Sequence, residues 1–342
     1  MLRQHISLSL LLCFLLGISP SLFALTQEEA ITLVTRNPSA LKNLDDNLKK
    51  NKAFTLAAVR INGYVLEYVE DSFKQDKEVV LAAVRRHGEA LAYADSSLKK
   101  DKEVVLASVA EALVASDNVF QYANASFKKD RDVVLAAVKK NGSLLGAIDD
   151  SLKNDKEVVL AALSNNSEVL GFDFIDKSLA KDKEFVLAAI KSTNGFVLKY
   201  VDASLKKDKE VVLAAIRIFG MVLAYADGSL KKDREFILAA VKVNRDGSVL
   251  KYADNFLKKD KTIVLTSVKQ NARAFYHADD SLKTDREFTL AVVQENGYAL
   301  KYVHDSLIKD IEIALAAVKQ NTHALKYVDE SIKDEIKIDL GL

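Results

Sequence analysis

The sequence predicts an all-α protein, an elongated right-handed α-solenoid of about twelve two-helix repeats. Three observations lead to this prediction. A unit of about 25 residues recurs from Thr26 to the C-terminus, and a short fixed period is typical of stacked arrays. Each unit opens with a helix-start pattern, followed by an apolar block longer than one helical turn. Proline occurs only at Pro20 and Pro38, so it does not interrupt the later helices.

The unit that begins at Asp208 shows why each element is predicted. The Asp208 carboxylate suits a helix N-cap, where it accepts from free backbone N–H groups, and Glu210 adds negative charge to the first turn. The stretch 211–216 is apolar throughout, so this helix needs cover on several sides. Gly220 is predicted to end the helix in the left-handed conformation, and a second, short helix is predicted over 221–226. One unit buries too little surface to fold alone, which predicts stacking.

The turn after the second helix is predicted from Asp227, Ser229 and Leu230. The aspartate and serine side chains suit turn capping, and the leucine can hold the turn against the core. An aspartate recurs here in most units, and calcium binding is the alternative role, although the spacing matches no EF-hand loop. Ala214 and Ala215 are small, so a close helix contact is expected, and Ala214→Leu is predicted to be disruptive.

The repeats are spaced unevenly, and the uneven spacing points to a variable edge. Most predicted repeat starts are about 25 residues apart, and the longer intervals place their extra residues in or beside the turn between the two helices. Those segments are 110–118, 164–172, 191–194 and 243–246. The predicted starts are Thr26, Asn51, Asp76, Asp101, Asp130, Asp155, Asp182, Asp208, Asp233, Asp260, Asp285 and Asp310.

Insertions often mark the binding face of a repeat protein, so this variable edge is predicted to bind a protein or peptide. Replacing Arg245 and Asp246 by serine is expected to lower affinity and leave stability nearly unchanged. The candidate binding residues are Glu111, Asp117, Asn118, Asn165, Asn166, Ser192, Thr193, Arg245 and Asp246.

Residues 1–24 differ from the repeats and are typical of a signal peptide. Arg3 precedes an apolar run over 8–18, the sequence 19–21 (Ser-Pro-Ser) breaks the run, and Ala24 is a small residue suited to cleavage. The run is too short for a comfortable membrane span. We therefore expect export, to the periplasm or the outside if the source is bacterial, with no transmembrane anchor after cleavage.

Residues 25–342 are predicted to form one helical-repeat domain, monomeric, with an N-terminal cap over 26–50 and a C-terminal cap over 331–342. The chain has 49 basic and 48 acidic residues. Removing the signal peptide takes away Arg3 and no acidic residue, so the mature chain is neutral. Such a chain has no global attraction to nucleic acid or to membranes. The single cysteine, Cys13, would be removed with the signal peptide, and no motif predicts a metal or another cofactor.

The sequence carries no catalytic constellation. His87, His277, His304 and His323 fall at different positions of the unit. No zinc-protease, P-loop, nucleophile-elbow or dinucleotide-binding motif occurs in a suitable context. The protein is therefore predicted to be a scaffold rather than an enzyme.

Two repeated features leave alternatives open. Stacking would align lysine pairs into a basic ridge able to bind an anionic polymer or a membrane surface, or the ridge is solvated and neutralised by nearby carboxylates. A tyrosine column could stack on sugars or peptides, or pack between neighbouring short helices. The lysine pairs are Lys99-Lys100, Lys128-Lys129, Lys206-Lys207, Lys231-Lys232 and Lys258-Lys259. The tyrosines are Tyr68, Tyr93, Tyr122, Tyr200, Tyr225, Tyr252, Tyr302 and Tyr327.

The repeat pattern Asp-Lys-Glu-Val-Val-Leu-Ala-Ala-Val … Asn-Gly … Tyr-Ala-Asp-x-Ser-Leu-Lys-Lys resembles a family of short tandem helical repeats known as a domain of unknown function. Residues 101–107 and Asn141-Gly142 match the pattern well. The resemblance extends over the whole mature chain and implies no catalytic residue. The unit is also similar to leucine-rich-variant repeats, which pair an α-helix with a 3₁₀-helix, but differs in its Asp-Lys-Glu and Tyr-Ala-Asp signatures.

Overall fold

The computed structural model describes residues 25–111, 119–166, 169, 171 and 177–342. The described residues form helices and no β-strand, so the all-α prediction is confirmed. They belong to two compact units, one that runs to Val169 and one that starts at Leu170. The predicted signal peptide, residues 1–24, lies outside the described residues.

Most repeats start with a helix of about ten residues, and we label these helices in chain order. In the first unit they are α1 (Gln27–Arg36), α2 (Lys52–Ile61), α3 (Lys77–Arg86), α4 (Lys102–Leu106), α5 (Arg131–Lys140) and α6 (Lys156–Asn165). In the second unit they are α7 (Lys183–Ser192), α8 (Lys209–Ile218), α9 (Arg234–Val243), α10 (Lys261–Gln270), α11 (Arg286–Glu295), α12 (Ile311–Gln320) and the terminal α13 (Glu330–Leu340). A π-helical turn, Ala107–Glu111, extends α4. Within each unit, every labelled helix contacts the next one.

A 3₁₀ segment follows most labelled helices, where the sequence predicts the second helix. In the first unit these segments are Pro38–Asn43, Gly63–Glu67, Gly88–Tyr93 and Gly142–Ala147, with a short α-helix, Val119–Tyr122, in the same place after α4. In the second unit they are Phe196–Lys199, Gly220–Tyr225, Ala272–His277, Gly297–Tyr302 and Thr322–Tyr327, with the α-helix Val249–Tyr252 after α9.

In most repeats the predicted turn winds into a third helical segment, so these repeats have one more element than the two predicted. The Asp227 carboxylate accepts from the Ser229 backbone N–H at 2.9 Å and from its hydroxyl at 2.7 Å, and Leu230 is buried. These bonds confirm the turn-capping role of the aspartate. The third segments are Asp46–Lys49, Asp71–Lys74, Leu98–Lys100, Ala125–Lys128 and Asp150–Leu152 in the first unit, and Leu179–Lys181, Ala203–Lys206, Gly228–Lys232, Leu257–Lys259 and Asp280–Lys283 in the second.

Every predicted repeat start is a helix N-cap. The Asp208 carboxylate accepts from the backbone N–H groups of Glu210 at 2.9 Å and Val211 at 3.1 Å. Thr26 forms a full capping box with Glu29. A local side-chain bond of this kind depends on the N-cap residue and the first turn alone, which is why the sequence predicts helix starts well.

The prediction that Gly220 ends α8 in the left-handed conformation is wrong. The C-cap is Phe219, with extended backbone (φ −150°, ψ 114°), and Gly220 opens the following 3₁₀ segment. Side chains of the next repeat bind the last helix carbonyls instead. Asn165 donates its amide to the Lys139 carbonyl at 2.7 Å. The same bond joins Asn62 to Thr35 at 2.8 Å, Asn244 to Ile216 at 3.2 Å and Asn296 to Val268 at 3.1 Å.

The recurring glycine is required by close packing against the next repeat. A Cβ atom on Gly297 would lie 2.3 Å from the Ala317 carbonyl oxygen in α12. Equivalent distances are 2.4 Å for Gly63 to Ala83 and 2.3 Å for Gly142 to Ala162. Any larger side chain would push the two repeats apart. Within the part of the chain that the structure describes, only Gly195, Gly247 and Gly341 are glycines with positive φ.

The backbone N–H of the glycine donates to a side chain of the next repeat, and different residues accept it. The Gly63 N–H donates to Nδ1 of His87 at 2.9 Å. The Gly220 N–H donates to the Asp246 carboxylate at 2.8 Å, and the Gly297 N–H to Oε1 of Gln320 at 2.7 Å. These bonds satisfy donors that are partly shielded from water, so they specify how neighbouring repeats pack.

The core is built from two pairs of buried, mostly apolar residues in most labelled helices. In α8 these are Val211 with Val212 and Ala215 with Ile216, all fully buried. Ala214 lies between the pairs but is half-buried. The close helix contact predicted for both alanines therefore belongs to Ala215, and the sequence-based expectation that Ala214→Leu overpacks a contact is corrected.

Ion pairs connect most labelled helices to the next. The Lys183 ammonium lies 2.8 Å from the N-cap carboxylate of Asp208 and 2.8 Å from Glu210. The hydrogen bond to Asp208, followed by that to Glu210, raises the pKa of Lys183. Exposed pairs contribute little to stability, but they hold successive repeats in one register. The same pairing joins Lys52 to Asp76, Lys77 to Asp101, Lys102 to Asp130, Arg131 to Asp155, Lys209 to Asp233, Arg234 to Asp260, Lys261 to Asp285 and Arg286 to Asp310.

The C-terminal segment forms the helix α13, which packs on α12. Ile336 is fully buried in this contact, whereas Ile338 is 80% exposed. The helix ends at Gly341, which has φ 65°. None of the helices in the described ranges is both long and apolar enough to cross a membrane.

Candidate partner-binding groove

Most labelled helices leave a Leu-Ala pair on the side that faces away from the core. In α8 this pair is Leu213 and Ala214, both half-buried, and in α7 it is half-buried Leu187 with exposed Ala188. The pairs sit between the buried pairs of each helix, at positions where helical geometry turns the side chains to another face. From the sequence, the middle of each such helix is apolar on all sides. The packing of neighbouring helices leaves one of these sides open to solvent.

A groove between α7 and α8 collects these side chains in the second unit. It is a surface cavity of about 950 Å³, and Leu187, Ala188, Leu213 and Ala214 form much of its lining. Ile218, at the end of α8, also lines the groove and is 42% exposed. We call this cavity the α7/α8 groove. Its volume lies at the upper end of the range for small-ligand sites, about 300–1,000 Å³.

The two rims of the α7/α8 groove differ in charge. Glu184 and Glu210 line the rim at the helix N-termini. Lys183 pairs with both Glu210 and Asp208, so one ammonium faces two carboxylates and that rim stays acidic. Lys191 and Arg217 line the rim at the helix C-termini, and no carboxylate in the described ranges pairs with either of them. The groove is therefore apolar with one acidic and one basic edge.

A second cavity of about 840 Å³ continues this basic edge. It shares Arg217 and Ile218 with the α7/α8 groove and is also lined by Lys242, Arg245 and Gln270. The side chains of Lys242 and Arg245 are exposed and make no ion pair within the described part of the chain. Together the two cavities form a path with apolar walls at one end and basic side chains at the other.

The structure separates the predicted variable-edge residues into structural and exposed ones. Thr193 is buried and donates its hydroxyl to the Ala189 carbonyl at 2.8 Å. Asp246 accepts two backbone N–H groups, and Asn165 binds a carbonyl of the preceding helix. Ser192 and Arg245 are exposed.

The remaining variable-edge residues are described only in part. The Asn166 amide lies 3.2 Å from the Ser143 hydroxyl, a contact to the preceding repeat. Glu111 ends the π-helical turn. Asp117 and Asn118 fall outside the described residues. Of the predicted set, the structure places Arg245 and Asp246 in a cavity lining, whereas sequence reasoning missed the Leu-Ala pairs beside them.

Several lysines of the repeated lysine pairs are engaged by the chain itself, whereas Lys100, Lys207 and Lys232 are exposed. The Lys231 ammonium folds back and donates to the Ala224 carbonyl at 2.6 Å. Partial burial lowers the pKa of Lys231. Equivalent bonds join Lys99 to the Ala92 carbonyl at 2.6 Å and Lys206 to the Lys199 carbonyl at 2.8 Å. Lys129 and Lys259 lie 3.6 and 3.9 Å from Asp149 and Asp279.

A substitution of Asp246 tests whether the loop between α9 and Val249–Tyr252 stabilises the fold. Partial burial raises the pKa of this carboxyl, but hydrogen bonds from Ser248 and Gly220 outweigh burial, and the pKa is lowered overall. Asp246→Ser leaves two backbone donors without their acceptor, so we expect a loss of about 1–3 kcal/mol of unfolding free energy. Urea denaturation followed by circular dichroism measures this loss.

Arg245→Ser is the matched control for this prediction. The Arg245 side chain is exposed and unpaired, so its replacement should change stability by less than about 0.5 kcal/mol. The sequence-based expectation that both substitutions spare stability is thereby corrected for Asp246. Equal urea midpoints for the two variants would contradict the structural role of Asp246.

The fold and its cross-repeat bonds define a tandem helical-repeat protein. The family model described as "Domain of unknown function (DUF4116)" matches residues 28–74, 76–111, 109–153, 130–179, 171–206, 208–246, 233–283 and 285–333. The chain belongs to this family, which confirms the resemblance inferred from the repeat pattern. No match was found among curated proteins or among solved structures.

Proposed function

We propose that the protein is an exported, non-enzymatic scaffold whose second unit binds a peptide segment of a partner protein. The observation that carries this proposal is the α7/α8 groove, an apolar surface that no residue of the described chain fills. Exposed apolar surface of this kind is typical of interaction sites. The binding face therefore shifts from the insertions to the open side of the labelled helices.

The proposed peptide is an amphipathic segment with an acidic edge. Its apolar side chains would contact Leu187, Leu213 and Ile218. Its carboxylates would lie against Arg217 and Arg245, because the one carboxylate of that lining, Asp246, accepts backbone N–H groups and pairs with neither arginine. An amphipathic helix that places one apolar face in a groove is a common mode of peptide recognition.

We further propose that the repeats stack as an elongated right-handed solenoid of about twelve repeats, and that the chain is monomeric. Two observations support this arrangement: each labelled helix contacts the next within its unit, and the ion pairs recur at a constant register. Export rests on the signal-peptide pattern of residues 1–24. The engagement of several members of the lysine pairs with carbonyls and carboxylates disfavours the alternative in which the pairs bind an anionic polymer or membrane.

A peptide selection tests the proposed groove directly. The purified chain is panned against a random peptide library, and the affinity of each enriched peptide is measured by fluorescence polarisation. We expect enriched peptides to combine apolar residues at helical spacing with aspartate or glutamate. The double variant Ala188→Glu and Ala214→Glu should weaken their binding about tenfold or more, because it adds charge to the apolar lining and repels acidic side chains.

The matched control places the same substitutions in the first unit. Ala136→Glu and Ala161→Glu change the equivalent half-buried positions of α5 and α6, and they should leave the affinity unchanged. Circular dichroism melts establish that all variants are folded. Peptides that bind both double variants as tightly as the original chain would reject the groove as the binding site.

A further inference from the structure

We propose that a separate cavity near the C-terminal end of the second unit binds acidic saccharides, that is, sugar rings that carry a carboxylate. The cavity has a volume of about 340 Å³ and lies where the 3₁₀ segments Ala272–His277, Gly297–Tyr302 and Thr322–Tyr327 follow one another. This volume falls near the lower end of the range for small-ligand sites. The proposed saccharide site shares no lining residue with the α7/α8 groove and shares only Gln270 with the neighbouring cavity of about 840 Å³.

The charge of this cavity is wholly basic. Its lining includes Arg273 and Lys301 but no aspartate or glutamate. Lys326 stands beside it, with its ammonium 4.9 Å from the ring centre of Tyr327. No carboxylate of the described residues pairs with any of these three cations. By contrast, most basic residues at the start of the labelled helices form ion pairs with carboxylates. Cations that lack such a partner around one cavity favour a ligand that carries a carboxylate.

The aromatic lining suits a puckered sugar ring better than a flat base. The rings of Tyr298 and Tyr327 lie 6.3 Å apart at an angle of 66°. Tyr302 meets Tyr276, just outside the cavity lining, at 6.2 Å and 64°. Crossed rings leave no parallel slot in which a nucleobase could stack. The C–H groups of a pyranose need the face of only one aromatic ring to pack against. Tyr298, which is 37% exposed, offers such a ring.

Polar groups with open hydrogen-bonding capacity complete the site. The side-chain amide of Gln270 lines the cavity and makes no hydrogen bond within the described part of the chain. Asn296 uses its amide nitrogen on the Val268 carbonyl at 3.1 Å, which leaves its side-chain oxygen as an acceptor. Such groups suit the hydroxyls of a sugar, each of which donates and accepts.

Isothermal titration calorimetry with two saccharide probes that differ in charge tests the assignment. Tetragalacturonate supplies sugar rings with carboxylates, and its methyl ester supplies the same rings without charge. We expect the full chain to bind tetragalacturonate and to bind the ester at least about tenfold more weakly. The affinity for tetragalacturonate should fall as the salt concentration rises. An aspartate tetrapeptide and a single-stranded tetranucleotide serve as competing ligand classes and should bind more weakly than tetragalacturonate.

Substitutions locate the site. Lys301→Gln should weaken tetragalacturonate binding about tenfold, whereas Lys301→Arg keeps the charge and should retain most of the affinity. Lys251→Gln is the matched control, because Lys251 lies 5.2 Å from the ring centre of Tyr252 at the equivalent position but lines no part of this cavity. The control should bind as the original chain does.

The proposal is overturned if tetragalacturonate does not bind, if the ester binds equally well, or if Lys301→Gln and Lys251→Gln have equal effects. Tighter binding of the peptide or the nucleotide would assign the cavity to that ligand class instead and would also overturn it. The variant Ala188→Glu with Ala214→Glu should leave saccharide binding intact, so failure of the peptide groove and failure of the saccharide site are distinguishable.

Discussion

Gly297→Ala is expected to lower the free energy of unfolding by about 1–3 kcal/mol, the usual range for overpacking a close contact. The added methyl group would lie 2.3 Å from the Ala317 carbonyl oxygen, a backbone atom that has no rotamer with which to move away. α12 must therefore shift from the segment Gly297–Tyr302. That shift also stretches the bond from the Gly297 N–H to Gln320, now 2.7 Å long.

Gly228→Ala is the matched control, because a Cβ atom on Gly228 would meet nothing within 4 Å. Its φ is not positive, so alanine fits the backbone there, and a gain of up to about 1 kcal/mol is expected from the stiffer unfolded chain. Urea denaturation followed by far-ultraviolet circular dichroism compares the two variants. If Gly297→Ala unfolds at the same urea concentration as Gly228→Ala, close packing is not the reason for the recurring glycine.

Ala215→Leu is the second substitution with a large expected effect. Ala215 is fully buried, and its Cβ atom faces the backbone of Gly195, where a built Cβ would lie only 3.3 Å away. Gly195 has φ 81°, a left-handed backbone conformation that few residues other than glycine adopt. The three additional side-chain carbons of leucine have no space beside Gly195. We therefore expect a loss of about 1–3 kcal/mol of unfolding free energy.

The neighbouring alanine provides the control for this substitution. Ala214→Leu places the same group one residue earlier, on the half-buried side of α8. The leucine would extend into the α7/α8 groove, so stability should change by less than about 0.5 kcal/mol. The same variant should weaken peptide binding because it fills the groove. Thermal and urea unfolding of the pair decide whether the two faces of α8 are assigned correctly, and equal destabilisation would show that they are not.

These assignments change where function is sought in the repeat. The insertions are the most variable feature of the sequence, yet Thr193 and Asp246 inside them make structural hydrogen bonds. The Leu-Ala pair is nearly constant from repeat to repeat and therefore looks like core. It lines the groove because neighbouring helices cover the buried pairs on either side and leave this side open.

The sequence by itself determined the repeats, the family and the starts of helices α1 to α12. A helix start depends on one side chain and the first turn that follows it, as at Asp208 with Glu210 and Val211. The apolar run 211–216 likewise predicts a helix that needs cover on several sides. All of these signals lie within a few residues of chain.

Only the tertiary structure decided how the helices end and which side stays open. The end of α8 at Phe219 and the bond from Gly220 to Asp246 involve the next repeat, 26 residues further along the chain. The reason for the glycine is a carbonyl of the following helix, and the distinction between Ala214 and Ala215 depends on which neighbouring atoms are present. Such contacts join residues that are remote in sequence and meet only when repeats stack, so no local pattern encodes them.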